Sequence, residues 1–218
     1  MTEDWENGGF GIYIHWPFCT AKCPYCDFNS HVRSNINQKQ WLKAYLNEIK
    51  RVSEKTSNRI LNSVFFGGGT PSLIEPSIIG DVLNEIQKHW KTKNNFEVTL
   101  EANPGSVDAK NFKAYKEAGV NRTSMGIQSL NTKDLKALGR THTVEEALAA
   151  FEIARQNFKA VSFDLIYARQ NQNISQWEKE LSLALSLEAS HMSLYQLTIE
   201  QGTAFGDRYN RGLLKGLP

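Results

Sequence analysis

Cys19, Cys23 and Cys26 are the only cysteines in this chain of 218 residues, and they fall within eight residues of one another. An odd count packed this closely is no disulfide framework; it points to metal or redox chemistry in a reducing compartment. Three thiolates at C-x3-C-x2-C spacing, in a loop stiffened by Pro17 and Pro24, can wrap one cubane iron–sulfur cluster and leave its fourth iron without a protein ligand. An open iron is a place for chemistry. Other readings fit less well. A structural zinc needs four ligands; His15 or His31 would complete the set, but the paired-knuckle spacing is missing. Cys23-Pro24-Tyr25-Cys26 matches a redox C-x-x-C motif. That chemistry places the first thiolate at a helix N-terminus, whereas Asp27-Phe28-Asn29-Ser30-His31 is a poor helix start and Cys19 is left over. Three inert cysteines would sit in periodic apolar sequence, and this stretch is loop-like.

Other residues offer binding chemistry. Gly67-Gly68-Gly69-Thr70 either lets backbone approach a ligand or makes a tight structural turn, and it fails the dinucleotide G-x-G-x-x-G pattern. Glu101 can meet a ligand ammonium or ribose hydroxyl, or serve as a turn partner. Gln128 and Asp164 interrupt apolar runs, where burial demands a partner. Arg140, after Gly139, has the fork to clamp a carboxylate, although an exposed arginine is the default reading.

These residues must be positioned by the elements around them. Apolar runs at 11–16, 62–66, 96–100, 122–127, 160–167 and 191–199 read as strands, and the longer stretches between them carry helical spacing. Helices are expected over 38–55 and 76–90, and from a cap at Ser106 to about Ala118, with capping boxes at Thr143/Glu146 and Ser175/Glu178. Repeated strand–helix units without hairpin signals imply a parallel sheet. A full eight-unit barrel takes ~250 residues, so six units make either a partial barrel or an open doubly wound sheet. In a barrel, Tyr13, Gly68, Glu101, Gln128, Asp164 and Thr198 converge with the cysteine loop at the strand C-terminal ends. With 25 Lys+Arg against 23 Asp+Glu the net charge is +2, which excludes the basic field of most nucleic-acid binders. No stretch approaches the roughly 18 apolar residues of a membrane span, and the opening MTEDWENGGF lacks the apolar region of a signal peptide. The expectation is one cytoplasmic α/β domain.

IHWPFCTAKCPYCDF resembles the signature of the radical S-adenosylmethionine (SAM) superfamily, in particular the branch of oxygen-independent coproporphyrinogen III oxidases and heme chaperones. FFGGGTPSLI, VTLEANPG, SMGIQSLN, FDLIY and LYQLTIE continue the likeness in the family's order from Gly11 onward. The resemblance implies a partial parallel (β/α)6 barrel, a 4Fe–4S cluster on Cys19, Cys23 and Cys26, and SAM cleaved reductively to methionine and a 5′-deoxyadenosyl radical. It also implies that Tyr13, Gly68, Glu101 and Thr198 surround the cluster-bound SAM. Tyr25, Gly69, Thr70, Gln128, Arg140 and Asp164 match positions given to a second SAM in the oxidase branch. The oxidases carry a fourth cysteine where Phe28 stands, so the likeness is nearer to the chaperones, which bind heme and hand it to an acceptor protein. It further implies an electron donor. Relatives continue into a C-terminal region with a heme-binding segment, so residues 1–218 are expected to be the radical SAM core alone. Departures are Ala168-Arg169-Gln170, where relatives have Gly-Leu-Pro, and Trp16 in place of an aliphatic residue. No histidine among His15, His31, His89, His142 and His191 is singled out by spacing as a heme ligand. A noncatalytic scaffold is the remaining reading, and the intact cysteine loop opposes it.

Overall fold

The computed structural model describes residues 4–106 and 109–214, without the side chains of 106–110. After the short helix α1 (Trp5–Gly8), the chain runs β1 (Phe10–Trp16), the two-residue strands β2 (Phe18–Cys19) and β3 (His31–Val32), α2 (Gln38–Thr56) and β4 (Ile60–Gly68). It continues with α3 (Pro76–His89), β5 (Lys91–Ala102), α4 (Ala109–Glu117), β6 (Arg122–Gln128), α5 (Thr132–Ala137) and α6 (Val144–Asn157). β7 (Ala160–Tyr167), α7 (Ile174–Ser186), β8 (His191–Gln196) and α8 (Ala204–Asn210) complete it. β1, β4, β5, β6, β7 and β8 form one sheet in that order, every neighbouring pair parallel. A doubly wound sheet reverses its strand order at a switch point. Here each strand lies beside its successor, as in a barrel, and among the described residues β1 and β8 do not pair. The fold is the expected partial (β/α)6 barrel.

The strands form where β-branched and aromatic residues cluster, and their two faces divide the labour. One face carries Leu61, Val64, Phe66, Leu100, Met125 and Phe163, all almost fully buried in a core shared with Ile79 and Ile86 of α3. Each such side chain contributes roughly 1.5–3 kcal/mol. The other face is polar toward the barrel interior. Arg122 donates to Thr99 Oγ1 at 3.0 Å and to Ser162 Oγ at 2.9 Å, and Ser162 reaches Ser124 Oγ at 3.0 Å.

The helix starts are partly as expected. Thr143 and Glu146 make the reciprocal capping box of α6. The box of α7, however, is Asn173 with Gln176 rather than Ser175 with Glu178. Asparagine caps as well as serine, and it stands two residues nearer the strand end, so the helix closes there first. The cap expected at Ser106 falls among side chains outside the described set. β5 begins at Lys91, five residues before the expected start, because Ile60 and Leu61 pair with Lys91 and Thr92 although that run is exposed and polar. Propensity gave no sign of it. β8 stops at Gln196, so Thr198 lies just beyond the strand.

Candidate functional site: a cysteine-lined cavity at the strand ends

The cysteine loop is tied down at its base. His31 N donates to Pro17 O at 2.7 Å, β2 pairs with β3, and the His15 ring meets Asn29 O at 2.9 Å. Lys22 closes the loop from the side, its ammonium 3.3 Å from both Phe28 O and Ser30 O. No helix starts at Cys23 or within ten residues after Cys26, so the helix N-terminus a C-x-x-C redox site relies on is not at hand.

Cys19, Cys23 and Cys26, none in a disulfide, line a cavity of about 280 Å³ at the C-terminal ends of the strands. Of the other residues singled out by sequence, Tyr25, Gly68, Gly69, Thr70, Glu101, Gln128, Arg140, Asp164 and Thr198 line it as well. Tyr13 does not. It stands exposed beside the mouth, its ring stacked on Phe65 at 5.9 Å and close enough to Glu101 to feel its charge. No histidine lines the cavity; His142, for instance, is buried and bonds Ile127 O at 3.1 Å.

The donor set fits a cluster. A cubane takes its thiolates one per iron, and here three thiols, none in a disulfide, line one cavity.

The glycine triplet owes its residue type to the chain itself. A Cβ at Gly67 would lie 2.8 Å from the Tyr13 ring, one at Gly68 2.6 Å from the His15 ring, and one at Gly69 2.5 Å from Phe18 O. Gly68 also has φ +115°, a conformation that other residues avoid. The turn brings the Gly68 N–H to Glu101 Oε2 at 3.0 Å. Gln128 adopts φ +71° where β6 slips register against β7, and such strain in a non-glycine residue is held only when surrounding structure over-determines it. Arg140 departs from the exposed default: Nη1 donates to Cys23 Sγ at 3.1 Å and Nη2 to Gly126 O at 2.9 Å.

Burial raises the Glu101 carboxyl to about 7, the Gly68 N–H opposing and the charge of Asp164 assisting. Burial likewise raises Asp164 to about 6, against Ser193, Arg122 and Arg140. Both are acids with raised folded pKa, so the folded ligand-free protein holds protons that the unfolded chain releases. The stability these two carboxyls contribute therefore falls as pH rises from about 4 through about 7, opposed in part by buried His142, whose lowered pKa acts with the other sign. Chemical denaturation is expected to show an apo protein less stable at pH 8 than at pH 5.5, by about 2 kcal/mol from Glu101. Glu101→Gln, which keeps an acceptor for Gly68, is expected to flatten most of that slope; an unchanged slope would place the protons elsewhere.

Phe28, noted in the sequence only as standing in place of a cysteine, lines the cavity with an exposed ring, and sequence reasoning passed over Tyr195 of β8. It also missed a buried network behind the wall. Glu180 of α7 accepts from Ser129 Oγ at 2.6 Å and Leu130 N at 2.8 Å, and pairs with Arg169. Arg169 in turn reaches Asp134 at 2.9 Å and Ile166 O at 2.6 Å. The one available signal was Arg169 itself, in the stretch that departs from its relatives.

Comparison with known proteins agrees with this geometry. The profile of the radical SAM superfamily matches residues 13–184. The heme chaperone HemW of Haemophilus influenzae is 43% identical over 203 residues, covering 90% of this chain and 53% of that protein. The mitochondrial radical S-adenosyl methionine domain-containing protein 1 of Danio rerio is 39% identical, covering 93% of this chain and 46% of that protein. The chain thus spans about half the length of these relatives. The structure of Escherichia coli coproporphyrinogen III oxidase superimposes with a TM-score of 0.82 at 24% identity, over 95% of this chain and 48% of that one. The family match takes in the cysteine loop and all but the last strand of the sheet, and the chain belongs to the radical SAM superfamily.

Proposed function

We propose that residues 1–218 are the core domain of a cytoplasmic heme-chaperone-like radical SAM protein, which holds a 4Fe–4S cluster on Cys19, Cys23 and Cys26 and SAM beside it. The observation that carries this reading is the convergence of three unpaired thiols with Glu101, Gln128 and Asp164 on one cavity at the strand ends. Bound there, cluster and SAM would together supply reductive cleavage of the sulfonium, with an electron from an external donor. The chain's own residues supply placement and charge. Gly68 N–H orients Glu101, and a cationic ligand entering the cavity would draw Glu101 and Asp164 into their ionised forms, since an opposite charge lowers a raised carboxyl pKa. Tyr25, packed against Phe205 at 6.3 Å, closes one wall and limits water. Heme as cargo, passed to an acceptor protein, rests on the relatives named heme chaperones.

A second reading, porphyrinogen oxidation, draws support from the structural likeness. Phe28 opposes it: an exposed aromatic ring lines the cavity where the oxidases carry a cysteine. Anaerobically reconstituted protein is expected to hold four irons per chain, and to form 5′-deoxyadenosine from SAM on reduction. It is expected to leave coproporphyrinogen III intact, with heme titrated in parallel. Stoichiometric zinc without iron–sulfur absorption would sink the cluster assignment, and decarboxylated product would favour the oxidase.

A further inference from the structure

Arg140 is held from three sides before any ligand arrives. Its backbone N–H caps α5 through Leu135 O at 2.9 Å. Gly139, at φ +69°, sits so close to the cysteine loop that a Cβ there would lie 2.5 Å from Pro24 Cδ. The guanidinium then spans from the β6 end to the loop, with Nη2 on Gly126 O and Nη1 on Cys23 Sγ. One N–H on each terminal nitrogen is committed to the protein, the buried Nε has no partner, and the Tyr25 hydroxyl also bonds the guanidinium. The bond to Cys23 Sγ in particular suits a task at the sulfur. A charged N–H donor on a ligating sulfur withdraws electron density from it and favours the state with one more electron, and hydrogen bonds to sulfur are among the factors that set cluster potentials.

Building on the cluster assignment above, we propose that Arg140 is a positioning residue for the cluster, which orients the Cys23 sulfur and raises the cluster's reduction potential through the Nη1–H···Sγ bond. The test is a dithionite titration of reconstituted wild type, R140Q and R140K, with the reduced cluster followed by electron paramagnetic resonance. Iron content, SAM affinity and unfolding midpoint are measured on the same samples. At the wild-type midpoint the reduced-to-oxidised ratio is expected to fall about tenfold in R140Q, which is about 59 mV for one electron. R140K, which keeps the charge but loses the fork, is expected to fall between. A merely structural role would move the unfolding midpoint and leave the potential alone. Should R140Q retain no iron, R140K reads the same quantity. A loaded R140Q or R140K that titrates at the wild-type potential overturns the proposal, and if SAM affinity alone drops, Arg140 is a ligand clamp instead. Wild type that assembles no cluster would overturn the proposed function itself, an outcome separate from a loaded wild type whose variants share its potential.

Discussion

Replacing any one of Cys19, Cys23 or Cys26 by Ala is expected to abolish retention of a four-iron cluster and all 5′-deoxyadenosine formation, while leaving the fold in place. The chemical half follows from ligand count: with three protein thiolates and one open iron there is no spare ligand. The loss must therefore exceed the roughly 10–100-fold that removal of an outer-shell partner costs a metal site. The structural half follows from how the loop is held. Its base is closed by His31 N to Pro17 O at 2.7 Å and by the pairing of β2 with β3, and its side by Lys22 on two carbonyls. None of these bonds uses a thiol. The apo variants are expected to unfold within about 1 kcal/mol of apo wild type by urea titration, the usual range for a partly exposed side chain. This separates the site from a structural zinc, where metal binding and folding are one event. Cysteine variants that fail to fold, or that keep cleaving SAM, would contradict the assignment.

The largest stability effect is expected far from the cysteines, at Glu180. Its carboxylate and the Arg169 guanidinium are both almost fully buried, 6% and 5% exposed at their side chains. Glu180→Leu would strand the Arg169 charge with Asp134 alone and leave Ser129 Oγ and Leu130 N without their acceptor. Breaking a buried pair by removing one partner costs about 3–5 kcal/mol, most of it the unpaired charge. At roughly 2–4 °C per kcal/mol for a chain of this size, the melting temperature is expected to fall by about 6–20 °C. Arg169→Leu is expected to cost a similar amount. The double variant R169L/E180L removes both buried charges and leaves unpaired only neutral groups and the part-exposed Asp134 carboxylate, which water can reach, at about 1–3 kcal/mol, so the pair is strongly non-additive. Simple addition of the two single costs would refute the coupling. The network also has a bearing on the site: Ser129 and Leu130 directly follow Gln128, and Ile166 lines the cavity. Glu180 thus helps to hold the strained Gln128 backbone where β6 and β7 slip past each other.

Much of this was legible in local sequence. Alternating apolar strands and amphipathic helices report on burial, and burial follows the 2.0 and 3.6 residue periods along the chain. The parallel order of six strands came within reach, and so did the placement of Glu101 and Gln128 at strand ends and of Asp164 within its strand, because position along a strand depends on counting residues. The polar start of β5 was out of reach, since its pairing is decided by Ile60 and Leu61 across the sheet rather than by its own Lys and Asn residues. The cap of α7 was missed by two residues, because two equivalent cap patterns overlap there and only the path out of β7 selects Asn173.

By itself, then, the sequence determined the close spacing of three thiols and the alternation that makes a parallel sheet, because both are properties of spacing. Tertiary structure alone decided between a partial barrel and a doubly wound sheet, through the unreversed strand order. It alone revealed that the glycine triplet makes room for Tyr13, His15 and Phe18. And it made Arg140, exposed by default on its residue type and placed by resemblance beside a second SAM, a donor on Cys23 Sγ, a contact between residues 117 positions apart in the chain that no local pattern encodes, because only the closing of the strands around one cavity brings them together.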